Sequence, residues 1–296
     1  MPALQGSKNY RHLTVAGLDM ASSPKNRGIC VIEALVRPPC NVIHCGALVL
    51  GSGATDEDVL SLFSTVDVVG VDIPLAWPLA FLSLLCGGAE PSLPLADRQL
   101  PSLESLRFRI ADLYVKTITG RYPLSVSSDL VAVPALKMRL LLWRMEPEAR
   151  KKALEVYPAA SLARWGLPNR GYKGSRGASV REEIAGAIVS ATGHKLTLTT
   201  EQEASLVRDH NVLDSFVCAL TALAQIYGLC DAPNEAGFHS VPPEEGWIWV
   251  PDRDSLSRLF GWEEHRAGTG APKPPARRQR AQGSSKTSGA IPPERA

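Results

Sequence analysis

The chain is short of almost everything that would assign it quickly. Its six cysteines (Cys30, Cys40, Cys45, Cys86, Cys218 and Cys230) form no C-x-x-C pair and follow no secretory signal. A disulfide framework is therefore not indicated, and reduced thiols in a cytoplasmic protein are the simpler expectation. Cys40-x-x-x-His44-Cys45 lacks the second ligand pair that a structural zinc site needs. No apolar run reaches the ~20 residues of a membrane span. The most apolar window, residues 73–86, carries Pro74 and Pro78, so a soluble protein is expected. There is no internal repeat. Nor is there a broad cationic face: from Arg266 onward seven basic residues meet one acidic residue, which leaves 25 basic against 29 acidic residues before it. Affinity for a polyanion would have to come from a local groove, from bound cations or from that basic end.

What is present at 296 residues and 45% hydrophobic is ample material for a core. Residues 1–11 read as a flexible polar leader. Three apolar, β-prone runs follow, at residues 12–19, 28–35 and 41–50, separated by Ser-Ser-Pro-Lys-Asn-Arg and Val-Arg-Pro-Pro-Cys. Strands joined by such short turn-forming segments predict an antiparallel meander. Thr55-Asp-Glu-Asp58 opens a helix with acids on its first turn. Residues 66–72 form another β-branched strand, and Ile73 before Pro74 stays extended.

Helical material broken by glycine and proline fills about 75–150, an α-rich insertion that covers a sheet edge or lids a site. Residues 153–158 supply a further short strand. The loop 168–177 is rich in glycine and cations. Ser179-Val-Arg-Glu182 and Thr200-Glu-Gln-Glu203 have the capping-box pattern, and Asp209 can cap a helix over 210–227 whose stripe Leu213, Phe216, Leu220, Leu223 and Tyr227 is core-facing. Trp247 to Val250, closed by Pro251, reads as an edge strand. Residues 264–296, rich in Gly, Pro, Ser, Lys and Arg, predict a disordered basic tail.

Strands alternating with helices after a meander predict an α/β three-layer domain over residues 12–263. Four carboxylates stand out within it. Asp19 and Asp72 each end a strand that reads as buried, Glu155 lies inside a third, and Asp214 sits on the 210–227 helix with small residues after it. Each has an ordinary alternative: Asp19 and Asp72 as turn or capping residues, Glu155 and Asp214 as solvated charges. Acids brought together repel one another unless cations neutralise them. Mg²⁺ or Mn²⁺ bound by such acids leaves positions open for phosphate oxygens and can drive phosphodiester displacement. Lys173 and Arg176 in the glycine-rich loop could hold a phosphate or remain solvated. His210 reads as a first-turn histidine.

Gly-Leu-Asp19-Met-Ala, Gly-Val-Asp72-Ile-Pro-Leu, Phe-Arg109-Ile-Ala-Asp112, Leu-Glu155-Val-Tyr-Pro-Ala, Gly-Tyr-Lys173-Gly, Val-Leu-Asp214-Ser-Phe-Val-Cys and Glu245-Gly-Trp-Ile-Trp-Val-Pro occur in this order. Over residues 12–251 the chain thereby resembles the family catalogued as domain of unknown function 429. The resemblance implies a ribonuclease H-like fold with a mixed sheet and a nuclease activity. It makes Asp19 the metal ligand on the first strand, Asp72 the ligand ending the fourth, and Asp214 similar to the final-helix aspartate of Holliday-junction resolvases. Those resolvases carry a second acid three residues earlier, where this chain has Asn211. Arg109, Asp112, Lys173 and Glu155 match family positions, and Arg109, Lys173 and Arg176 are the candidate substrate-binding cations.

Two other readings remain open on the residues alone. Gly17-Leu-Asp19-Met-Ala-Ser-Ser23 also resembles the first phosphate loop of actin-like nucleotide-binding and phosphotransfer domains, but a second glycine-rich phosphate loop does not follow. A silent binding scaffold would leave the acids solvated or far apart.

Overall fold

The computed structural model describes residues 10–38, 41–86, 101–238 and 241–261. The expected tail, most of the expected leader, Cys40 and part of the helical insertion lie outside them. Among the described residues the sheet has seven strands: β1 (Arg11–Asp19), β2 (Gly28–Arg37), β3 (Asn41–Ser52), β4 (Val68–Asp72), β5 (Ala153–Val156), β6 (Leu196–Thr197) and β7 (Ile248–Trp249). The helices before β5 are α1 (Asp56–Thr65), α2 (Leu79–Leu85), α3 (Leu103–Arg107), α4 (Ile110–Thr119), α5 (Ala132–Arg144) and α6 (Pro147–Arg150). After it come α7 (Pro158–Arg164), α8 (Ala178–Ala191), α9 (Thr200–Arg208), α10 (His210–Ile226) and α11 (Ser255–Phe260).

The sheet order is β6-β3-β2-β1-β4-β5-β7. β1, β2 and β3 form the expected antiparallel meander, while β4, β5 and β7 continue from β1 in parallel. Because side chains alternate across a strand, β1 feeds two cores. Leu13 and Val15 join Ile32, Ala34, Ile184, Phe216 and Leu220 on one face. Ala16 and Leu18 join Val69, Val71, Leu62, Phe63, Met138 and Leu141 on the other. Helices thus cover both faces of a mixed α/β sheet, with α10 against one and α1 and α5 against the other.

α10 is seated by glycine. A Cβ on Gly17 would lie 1.8 Å from the Ser215 carbonyl oxygen, one on Gly28 1.9 Å from that of Asn211, and one on Gly70 2.4 Å from that of Cys218. Three strands therefore present bare backbone under the helix, and only glycine permits that approach. The small residues after Asp214 supply the helix's half of the contact.

Two expected caps differ. α8 begins at Ala178, directly out of a 3-10 turn over Ser175–Gly177, so Ser179 lies inside the helix and no side chain caps it. α9 is capped one residue earlier than the pattern suggested, by Thr199 with Gln202 as its partner. Asp209 caps α10 as expected, accepting from the backbone N–H of Asn211 at 2.9 Å. The two-residue strand β6 and the short helix α11 carry too little periodicity to be read in advance.

Candidate metal centre

The parallel pairing of β1 with β4 sets Asp19 directly beside Asp72 at the strand ends. Two residues back in the same register, Gly17 lies beside Gly70, so period-2 alternation places both aspartates on the face that receives α10. Asp214 enters from that helix one turn before Cys218, the residue pressed over Gly70. The result is a cluster in which one carboxylate oxygen from each of Asp19, Asp72 and Asp214 lies within 4.8 Å of the other two. Among the described residues it is the one such group of three or more His, Cys, Asp and Glu side chains.

Asp214 is fully buried, whereas Asp19 and Asp72 are half-buried at the edge of a cavity of about 390 Å³. Ile73, Pro74, Leu124, Leu130, Pro134 and Tyr157 give that cavity its apolar wall. Burial is the main cause raising the Asp19 carboxyl well above the usual carboxylate range, with the charges of Asp72 and Asp214 adding to it. Burial also pushes Asp72 up to about 7, with Lys173 pulling it down and Asp214 pushing it further up. The acids are held together at an electrostatic cost that a cation would remove.

Among the described residues the cavity lining holds two cations, Arg109 and Lys173, and the glycine-rich loop supplies the second. Lys173 Nζ stands 3.0 Å from Asp214 Oδ2 with its side chain 54% exposed. The field of the three aspartates raises its ammonium pKa against the opposing effect of burial. Tyr172, beside it, donates from its hydroxyl to Asp214 Oδ1 at 2.9 Å. Arg181 fixes that loop from below, donating to the carbonyls of Tyr172 and Gly174. Arg176, on the same loop, is exposed and outside the cavity lining.

Glu155 and Arg109 line the cavity but are already partnered. The Arg109 guanidinium, fully buried, donates to both oxygens of Glu155, at 2.6 and 2.8 Å, and to both oxygens of Asp112, at 2.9 and 3.1 Å. Glu155 also accepts from the backbone N–H of Leu75 at 2.8 Å. Glu245 ties the same region together by accepting from Leu79 and Ile110. The network joins β5, α4 and the segment after β4, so it fixes the floor of the cavity. The sequence motifs flagged its members, but a hydrogen-bonded pair 46 positions apart has no signature along the chain.

Asn211 is also committed: its side-chain amide donates to Asp209 Oδ1 at 3.0 Å, within the cap of α10. His210 is half-buried outside the cavity lining, with burial lowering its pKa.

The sequence profile of the family described as Protein of unknown function (DUF429) matches residues 17–236. The chain belongs to the DUF429 family. The matched stretch contains all three clustered aspartates, Arg109 with its partners Asp112 and Glu155, and the Tyr172-Lys173 clamp, while Glu245 and the cavity-lining Ile248 lie beyond it. No curated protein and no solved structure matches the chain.

Proposed function

We propose that this DUF429 protein is a divalent-metal-dependent phosphodiesterase of ribonuclease H-like fold, acting on nucleic acid with Mg²⁺ or Mn²⁺. The observation that carries the reading is the meeting of Asp19, Asp72 and Asp214 within 4.8 Å. These acids stand on the first strand, the end of the fourth strand and the last long helix, where the resemblance to ribonuclease H-like nucleases implies metal ligands, with Asn211 in place of the further acid that the resolvases carry. Three carboxylates with water access from a cavity form a hard oxygen donor set suited to Mg²⁺ or Mn²⁺. A bound ion there would supply Lewis-acid stabilisation of phosphoryl oxygen charge and a more acidic water.

The protein's own groups divide the remaining work. Asp19, Asp72 and Asp214 hold the ion. Lys173, exposed at the rim, steadies a phosphate oxygen, with Arg176 further out along the loop. Arg109 and Glu155 position the walls rather than touch substrate, because each other's atoms and Asp112 take up their hydrogen-bonding capacity. Acids this close together count against a silent scaffold, which would keep them apart. No helix among the described residues is long and apolar enough to cross a membrane, and the free buried thiols Cys30, Cys45, Cys218 and Cys230 suit a cytoplasmic setting.

The test is cleavage of single-stranded, duplex, hybrid and branched nucleic acids in the presence of Mn²⁺ or Mg²⁺. Wild-type protein should cut at least one of them, and Asp19→Asn and Asp214→Asn should each reduce that rate by more than ~100-fold. Equal activity in the wild type and both variants would overturn the assignment, as would no cleavage of any substrate.

A further inference from the structure

The cavity beside the acidic cluster is divided by chemistry, and the division follows the elements that build it. The strand ends bring the carboxylates of Asp19 and Asp72, and the glycine-rich loop brings Lys173. The segment joining α4 to α5 brings Pro123, Leu124, Leu130 and Val131, with Pro134 on the first turn of α5. None of these five side chains carries a hydrogen-bond donor or acceptor. Leu124 is 60% exposed and Leu130 90% exposed, although both line the cavity. The segment between them is held by its own polar contacts. Ser125 Oγ donates to the Arg107 carbonyl at 2.8 Å, Arg107 Nε donates to Ser128 Oγ at 3.1 Å, and Asp129 accepts from the Ser125 N–H at 2.7 Å. A wall fixed in this way before anything binds loses little entropy on contact.

Size and charge narrow the occupant. A cavity of about 390 Å³ lies near the lower end of the ~300–1,000 Å³ that encloses small ligands, room for one nucleotide rather than a run of them. A nucleotide has the same division: an anionic phosphate and a flat base with apolar faces. Tyr157 supplies the one aromatic ring in the lining among the described residues, and any base stacks on such a ring. Of the two cations in the lining, Arg109 is committed to Glu155 and Asp112, which leaves Lys173 to meet a phosphate oxygen. Proteins that grip a long strand line a groove with cations along its backbone, whereas one lysine serves one or two phosphates. A duplex would have to unpair and unstack a base to fill the wall. The Arg109 network closes the floor, so a strand running past the reacting nucleotide would have to leave by the mouth it entered. A strand end has no such requirement.

We infer that the cavity takes one terminal nucleotide of a single strand, its phosphate toward Lys173 and its base against Leu124, Leu130 and Tyr157, so that the protein trims strand ends without choosing among bases. The inference rests on the phosphodiesterase reading above and names the substrate of that same site. Indifference to the base follows from a wall with no side chain able to read a base edge. In each turn a water oxygen bonds to the phosphorus as the bond from phosphorus to the departing sugar oxygen breaks. One of the water's protons goes to that sugar oxygen and the other to solvent, and the products are one nucleoside monophosphate and a strand one nucleotide shorter.

Two measurements on the full chain test this. Calorimetric titration with ribo- and deoxyribonucleoside 5′-monophosphates in the presence of Mn²⁺ should show binding by the wild type, with affinities for the four bases within ~10-fold of one another. Leu130→Asp, which sets a charge where the base would lie, should weaken that binding by at least ~10-fold, and Leu130→Met should retain it. Equal binding by Leu130→Asp and the wild type, or none by the wild type, overturns the proposal. The second measurement compares linear and circular single strands of one sequence, as DNA and as RNA, with Mn²⁺. The linear strand should release mononucleotides at least ~100-fold faster than the circle is opened. A circle cut as fast as the linear strand, or internal fragments as first products, overturns the terminal-nucleotide assignment and leaves the phosphodiesterase standing. Cleavage of neither strand removes the phosphodiesterase itself, and the trimming with it.

Discussion

At the scale of single residues, the centre combines groups whose titration opposes stability with groups whose pairing supports it. Asp72, pushed up to about 7, and Asp19, raised in the same direction, bind protons more tightly folded than unfolded. A raised carboxylate pKa costs the folded state nothing below the unfolded value near 4; the penalty grows as pH rises through the folded value. The metal-free protein should therefore lose stability between about pH 4 and pH 7 through Asp72, with Asp19 adding to the loss as pH rises above the ordinary carboxylate range. Mn²⁺ competes with those protons, so its stabilising shift in melting temperature should be larger at pH 7.5 than at pH 5.5. A shift equal at both pH values would contradict the titration argument. Arg109 behaves in the opposite sense. Replacing it with Ala strands two buried carboxylates and should cost about 3–5 kcal/mol in urea unfolding, whereas a loss under 1 kcal/mol would show that the network supports nothing. Asp19 and Asp72 could be picked out in the sequence because they end apolar β-prone runs, and Asp214 because small residues follow it on a helix. The Arg109–Glu155 pairing could not, since it exists only once β5 and the start of α4 are brought together.

The element scale shows why three distant acids meet at all. β1 and β4 are parallel neighbours in register, which aligns Asp19 with Asp72, and the Gly17, Gly28 and Gly70 backbone lets α10 sink until Asp214 reaches them. Gly70→Ala puts a methyl group 2.4 Å from the Cys218 carbonyl. The helix must lift, which should cost more than the ~1–3 kcal/mol of ordinary overpacking and weaken metal binding even though no ligand is changed. Normal Mn²⁺ affinity in a folded Gly70→Ala protein would show that helix depth does not set the site. Strands β1 to β5 and helix α10 were legible from apolar runs between turn formers and from a 3.6-residue stripe. The strand glycines are visible in the sequence too, but they become informative only when their common face and the helix above it are known. The false starts at Ser179 and Thr200 have a simpler origin: capping patterns overlap by a residue or two, and the preceding turn decides among them.

On the scale of the whole molecule, charge is divided between an acidic body and a basic end. Residues up to 265 carry 25 basic and 29 acidic side chains, and the described cavity offers Lys173 as its available cation. Any long-range attraction to a polyanion would then reside in residues 266–296. Deleting them should lower nucleic-acid affinity and flatten its dependence on salt, with the metal requirement unchanged; an unaltered salt slope in a binding assay would show the basic end to be idle. The same separation explains why net charge was a poor guide: the formal +2 of the chain averages two regions of opposite sign.

Isothermal titration of Mn²⁺ into the wild type, Asp19→Asn and Asp214→Asn addresses the centre most directly, because it needs no knowledge of the substrate. Saturable binding by the wild type, weakened by at least ~10-fold in each variant while both remain folded, is the result expected of a cation site built by Asp19, Asp72 and Asp214. Heats no different among the three proteins would mean that the aspartates share a pocket without holding a metal.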